Sequence, residues 1–202
     1  MKLALVALAL ALLGLAEPRA QLGRSYDGRP VEAVHVQGKG ERILVIGCIH
    51  GDECEGIEVT KLLARYRPKA DLWLVHQLNP DGYARRSRFN ARGADLNRDF
   101  LAATQRETRI ARKLILRLEP DITIWFHQPQ SVVRAFGRSR ATARRYARLA
   151  GVSYRTMPWP PGSASRWQNG LGQVSFVVEL GPGELPDGMA RRYADAVLRL
   201  AE

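Results

Sequence analysis

Cysteine is scarce in this chain, with two in 202 residues, Cys48 and Cys54. They do not have the C-x-x-C spacing of a thiolate metal site, which removes the commonest sulfur-based centres. Histidine is scarce as well, with only four. Acidic residues number 20 against 31 Lys and Arg, so the formal net charge is +11. Past the first residues there is no apolar run of the roughly 20 residues that span a bilayer. Linkers, internal repeats, low-complexity tracts and DNA- or RNA-binding motifs are also missing. These absences exclude a multi-span membrane protein and a repeat array, and leave one domain with room for a substantial core.

The chain opens Met1-Lys2, then runs apolar or small from Leu3 to Leu15 and on to Ala16. One positive charge ahead of a short apolar run is the pattern of a secretory signal peptide. Gly14 and Ala16 suit a small-x-small cleavage site, so residues 1–16 are predicted as the signal, with Ala20 as the alternative end and a retained anchor as the alternative fate. Residues 17–202 then form a single exported domain, periplasmic, wall-associated or secreted. A basic exported protein is drawn to anionic wall polymers and lipid headgroups rather than to nucleic acid. Arginine gathers at Arg85, Arg86, Arg88, Arg92 and Arg98, and again at Arg134, Arg138, Arg140, Arg144, Arg145 and Arg148. The second cluster reads as solvated surface. Export also permits a Cys48–Cys54 disulfide; otherwise the two are small buried residues.

Short continuous apolar runs alternate with helical spacing. Strands are predicted over 31–36, 43–49, 72–75, 122–126, 131–136, 152–157 and 174–180, and helices over 53–66, 104–118, 139–150 and 186–201. Asn79-Pro80-Asp81-Gly82 reads as a turn, residues 83–100 as an ordered loop, and 158–172 as a second loop. This pattern predicts an α/β domain, an α/β/α sandwich around a mixed, mostly parallel sheet. Ligands of such sheets bind beyond the carboxyl ends of the strands. His50, Asn79, His127 and Glu179 all fall at or just past a strand end.

The stretch Gly47-Cys48-Ile49-His50-Gly51-Asp52-Glu53 carries an imidazole and a carboxylate three apart at a strand-to-helix turn. Two of three protein ligands reach a catalytic zinc in this way, with a position left open for water. Alone, H-x-x-E is a spacing that chance supplies freely. His127 closes the apolar strand ending Trp125-Phe126, as a core histidine or a ligand, while His35 and His76 read as structural. Glu179 lies in Val177-Val178-Glu179-Leu180, where a buried acid needs compensation; it is surface-turned, or held beside a cation where it can serve as a base. Arg88, Asn97 and Arg98 suit a substrate carboxylate, which a planar guanidinium meets with two donors. The other reading of that loop is internal Arg–Asp and Asn contacts involving Asp95 and Asp99. Asp52 is expected to orient the turn or a ligand.

Taken in order, His50-x-x-Glu53, Asn79-Pro80-Asp81-Gly82, Arg88, Asp95-Leu96-Asn97-Arg98-Asp99-Phe100, His127 and Glu179 resemble the zinc carboxypeptidase family, over roughly residues 43–183. The resemblance implies one zinc per chain bound by His50, Glu53 and His127, with Glu179 as general base and proton shuttle. It implies that Arg88 stabilises the oxyanion and that Asn97 and Arg98 grip a terminal carboxylate. Gly162-Ser163 and Trp167 resemble the family's pocket segment, and Arg166 is a candidate for a further substrate carboxylate. The family's loop tyrosine has no counterpart in Met157-Pro158-Trp159-Pro160-Pro161. The compact build, the HGDE turn and His127-Gln128-Pro129 look most like the murein peptide amidase branch. That implies a monomeric peptidase cutting γ-D-glutamyl–diamino acid bonds in wall peptides. The alternatives are an ordinary C-terminal carboxypeptidase, an aspartoacylase or succinylglutamate desuccinylase type of deacylase, and a non-catalytic wall binder.

Overall fold

The protein is described from a computed structural model covering residues 19–201. The signal expected for residues 1–16 lies outside the described residues, and among those described no helix is long and apolar enough to cross a membrane. Eight strands form one sheet: β1 (Arg19–Arg24), β2 (Pro30–Val36), β3 (Arg42–Ile46), β4 (Asp71–Val75), β5 (Ile122–His127), β6 (Val132–Ala135), β7 (Ser153–Thr156) and β8 (Val174–Glu179). Among the described residues six α-helices connect or cover them: α1 (Gly56–Ala64), α2 (Pro80–Arg85), α3 (Arg106–Leu118), α4 (Arg140–Ala150), α5 (Ala164–Gly170) and α6 (Asp187–Leu198). The strand order is β1-β2-β4-β3-β5-β8-β6-β7. The central strands β4, β3, β5 and β8 run parallel, β6 and β7 are parallel to each other, and β1–β2, β2–β4 and β6–β8 are antiparallel. This is the α/β class expected from the alternation of elements.

Strand residues alternate between two cores because successive side chains leave opposite faces. Ile43 and Val45 of β3 join a cluster built with α1, α4 and α6, including Val59, Leu63, Tyr146 and Tyr193. Leu44 and Ile46 join the opposite cluster with α3 and α5, including Leu114, Ile115 and Trp167. Both faces of the middle strands are covered, and every residue of β5 is buried. For this reason these strands read as unbroken apolar runs.

Three elements differ from expectation. The Asn79–Gly82 turn is the start of α2: the Asn79 side chain accepts the Gly82 N–H, and Pro80 occupies the first turn. Asn, Pro and Asp favour turns and helix N-termini for the same reasons, an accepting side chain and a fixed φ, so local sequence does not separate the two. The 158–172 loop contains α5, seven residues long and too short to show a period. The half-exposed edge strand β1 has no apolar run to announce it.

Topology determines where a site can form. The chain leaves β3 toward β4 on one side of the sheet and returns to β5 on the other. The crevice between β3 and β5 is a switch point, open at the carboxyl ends of both strands.

Candidate metal centre

The turn after β3 brings His50 and Glu53 to that crevice, and His127 is the last residue of β5. One ligand atom from each lies within 4.8 Å of the other two. Glu53 Oε2 lies 3.2 Å from His50 Nδ1 and 3.0 Å from His127 Nδ1. Gly51 allows this turn to sit tightly, since a Cβ there would collide with the backbone of Gly82 at the start of α2. A disulfide joins Cys48 to Cys54 across the same turn, with their Cα atoms 4.7 Å apart. Both sulfur atoms lie close to the His50 carbonyl oxygen, at 3.3 and 3.2 Å. Asp52, expected to orient the turn or a ligand, is exposed, and its side chain makes no hydrogen bond among the described residues.

Two imidazoles and a carboxylate converging in this way form the donor set of a catalytic zinc site, with three protein ligands and room for a fourth. Burial pushes the His127 imidazole below its usual pKa. Burial pushes the Glu53 carboxyl up, but the two imidazoles outweigh it and hold Glu53 well below the carboxylate range.

Behind His50 stands Asp95, which accepts from Nε2 at 2.9 Å. Asp95 also accepts the Asn97 N–H at 2.9 Å and meets the Arg88 guanidinium at 3.0 Å. Arg88 in turn reaches Glu53 Oε1 at 2.8 Å. Asp95 therefore ties the loop, as one sequence reading had it, and also holds a ligand's far nitrogen, which spacing did not reveal. Burial raises its pKa, but His50 and Arg88 reverse that and leave it well below the ordinary value.

Glu179 ends β8, in register with His127 on the neighbouring β5. It is buried, and its Oε2 has no partner among the described residues. Burial raises its pKa above the usual value, against the pull of Arg134, whose Nη1 stands 3.2 Å from Oε1. Arg134 departs from the solvated cluster to which its sequence neighbours assign it: Arg138, Arg140, Arg144, Arg145 and Arg148 are exposed, whereas its side chain is 13% exposed. The available signal was an arginine inside the short apolar strand β6.

A cavity of about 200 Å³ contains the three candidate ligands, Glu179, Arg88 and Arg134. Asn97 and Arg98 also line it. Asn97 Oδ1 accepts the Ala164 N–H at 2.9 Å, which docks the loop on α5. Gly162, with φ of 75°, makes a close approach there, because a Cβ would strike the Arg98 backbone. Ser163 and Trp159 are part of the wall.

Two expected wall residues lie elsewhere. Trp167 is buried in the core against Phe100, with the Arg112 guanidinium 4.8 Å from its ring centre. Arg166 is exposed, donates to the Trp159 carbonyl at 3.2 Å, and borders an adjoining cavity with Phe136 and Arg138. They fall on α5, whose turn sends Ser163 and Ser165 toward the ligands and their neighbours away. The remaining histidines are structural: His35 contacts Asp71 at 2.6 Å and stacks on Trp73, and His76 contacts Thr60 at 2.7 Å.

Comparison with known proteins places residues 39–200 under the model of the succinylglutamate desuccinylase/aspartoacylase catalytic domain. The chain is 33% identical over 99 residues to carboxypeptidase SOL1 of Arabidopsis thaliana, a match covering 39% of this chain and 20% of that protein. Among solved structures it resembles the murein-tripeptide amidase MpaA of Escherichia coli O157, with a TM-score of 0.77, 24% identity and 93% of each chain covered. It also resembles a succinylglutamate desuccinylase from Silicibacter, with a TM-score of 0.73 and 18% identity, over 92% of this chain and 67% of the other. At these identities the structural matches speak to the fold. The curated relative is matched over a fifth of its length only.

Proposed function

The chain belongs to the succinylglutamate desuccinylase/aspartoacylase catalytic-domain family, a zinc carboxypeptidase-like family, and on that premise we propose that it hydrolyses an amide bond beside a free carboxylate. The observation that carries this reading is the His50, Glu53 and His127 cluster with Glu179 one strand away. The three would hold a zinc ion. When bound, zinc supplies a Lewis acid that polarises a carbonyl and makes water acidic at neutral pH.

The chain's own residues supply the rest. Glu179 takes the proton of the attacking water on its unpartnered Oε2 and delivers it to the departing amine. Its raised pKa makes it a stronger base toward that water than an ordinary carboxylate. Arg88 brings a positive charge to the developing oxyanion, a type of contribution worth about 10²–10³ in rate. To do so it swings a donor from its present contacts with Glu53 and Asp95. Asn97 and Arg98 hold the substrate's free carboxylate, Arg98 from an exposed position at the cavity's edge.

Two substrate classes fit. Wall peptides cut at the γ-D-glutamyl–diamino acid bond are supported by the signal-like N-terminus and by the likeness to a murein-tripeptide amidase. N-acyl acidic amino acids are supported by the family model. The test is to assay the zinc-loaded protein on purified wall tripeptide, on N-acetylaspartate and N-succinylglutamate, and on peptides varied at the C-terminus. Hydrolysis should fall about 10²- to 10⁴-fold in Glu179→Gln while about one zinc per chain is retained. Full activity in that variant would remove Glu179 from the reaction. A protein that binds no zinc and cleaves none of these would be a binder instead.

A further inference from the structure

At the β6–β7 end of the sheet one face is left bare. The two strands pair in parallel, with Arg134 beside Arg155. The pairing runs on past the strand ends, where the Met157 N–H donates to the Ala135 carbonyl at 3.1 Å. Side chains alternate along a strand, so Arg134, Phe136, Arg155 and Met157 leave by one face. Val133, Ala135 and Tyr154 leave by the other, where α4 packs on both strands. On the first face α5 packs against β8, and Phe136, Arg155 and Met157 remain exposed. The segment after β6 also folds back on the end of α5. Ser139 Oγ meets Asn169 Oδ1 at 2.9 Å, and Arg138 donates to the Gly172 carbonyl. Leu171 is thereby brought to the same corner. Phe136, Met157 and Leu171 are 48%, 38% and 47% exposed, and large apolar side chains gathered in this way mark an interaction surface. A cavity of about 560 Å³ opens among them, lined by Phe136, Arg138, Pro158, Trp159 and Arg166. Trp159 also walls the metal cavity.

Charge says what this surface meets. No Asp or Glu occurs between Asp121 and Glu179, while arginine recurs through that stretch. Arg138, Arg140, Arg155 and Arg166 stand exposed around the apolar side chains. Arg138 and Arg166 are each anchored to a backbone carbonyl rather than to an acid, which leaves the rest of each planar fork for an anion. A soluble polyanion would answer the arginines and leave Phe136, Met157 and Leu171 in water. An uncharged apolar partner would do the reverse, desolvating guanidiniums without pairing them. A lipid surface with anionic headgroups answers both, with phosphates for the arginines and the headgroup–acyl boundary for the apolar side chains.

We propose that this corner docks on an anionic phospholipid surface. Phe136, Met157 and Leu171 enter the headgroup boundary, and Arg138 and Arg166 receive lipid phosphate at the cavity. Docking in this way brings the metal cavity, on the other side of Trp159, to the edge of the membrane. The surface stands apart from the catalytic groups, so the proposal does not depend on the reaction assigned to them.

The test is flotation of the full chain with vesicles of phosphatidylcholine alone, or of phosphatidylcholine with phosphatidylglycerol. The apolar run of residues 3–15 is the same in every variant, so differences between variants report on this corner. The wild type should partition about tenfold or more tightly onto the vesicles that contain phosphatidylglycerol. Arg138→Gln combined with Arg166→Gln should weaken that binding about 10- to 25-fold, at about fivefold for each arginine near an anionic leaflet. Phe136→Ser combined with Met157→Ser and Leu171→Ser should weaken it about tenfold or more. The replaced side chains are exposed, so both variants should keep the wild-type Tm. Equal partitioning of the wild type onto the two kinds of vesicle overturns the proposal, as does either folded variant binding like the wild type. If only the arginine variant loses binding, and polyphosphate displaces the wild type from vesicles, the corner is a site for a soluble polyanion instead. A wild type that dimerises without lipid, while the apolar variant stays monomeric, marks a contact between copies and overturns it as well.

Discussion

At His50 the two ring nitrogens face different carboxylates, Glu53 at 3.2 Å and Asp95 at 2.9 Å. A proton carried on Nε2 and donated to Asp95 leaves the Nδ1 lone pair for a metal, so the outer carboxylate selects the tautomer that can ligate. Partners of this kind typically account for 10- to 100-fold in metal affinity. Asp95→Asn should therefore raise the zinc dissociation constant about 10- to 100-fold in chelator competition, with the fold intact by circular dichroism. An unchanged constant would reduce Asp95 to a loop tie. His50 and Glu53 are legible in sequence because three positions separate them. Asp95 is 45 positions from His50, and no local pattern links the two.

At the scale of elements, α2 fastens the site to the far end of the sheet. Asp81, in its first turn, is fully buried and accepts from Ser25 Oγ at 2.8 Å, Arg29 Nη1 at 2.8 Å and the Asp27 N–H at 3.1 Å, all in the β1–β2 connection. Burial pushes its pKa up, but these donors, Arg29 foremost, outweigh burial and lower it. A carboxyl depressed in the folded state adds stability that is fully present above its unfolded pKa, about 3.9, and is lost as pH falls through the folded value. Asp81→Asn should thus cost about 2 kcal/mol near pH 7, with the difference from wild type shrinking below about pH 4. Urea unfolding at pH 7 and at pH 3.5 checks it, and a gap that widens on acidification would contradict the assignment. The sequence marks this position as a turn. The same residues cap a helix once β4 and the β1–β2 connection provide something to cap against.

The whole molecule makes the site by strand order. His50, His127 and Glu179 come from the ends of β3, β5 and β8, which lie side by side although long chain segments separate them. An unfolded chain does not hold these donors together, so zinc binds the folded state and stabilises it by mass action. Free zinc near 1,000 times its dissociation constant should raise Tm by roughly 10 °C, and a chelator should reverse the rise. Calorimetry showing the same Tm with saturating zinc and with chelator would argue against the cluster as a metal site. The disulfide acts locally, closing a loop with a sequence separation of six around His50 and Glu53.

The sequence by itself determined the α/β class, the order of most elements and the candidate ligands. Apolar periodicity reports which residues face a core, and strand-end histidines and acids stand out against apolar runs. The tertiary structure alone decided what the arginines and tryptophans do. Arg134 and Arg138 are four positions apart in one basic stretch, yet β6 pairing antiparallel with β8 brings the first to Glu179 while the second is exposed. Trp167 reads as part of the pocket wall, but α5 turns it into the core, while Trp159 lines the cavity. Local pattern encodes burial along one element, whereas the identity of the neighbouring strand depends on contacts between residues far apart in the chain. The choice between a surface charge and a site charge is made there.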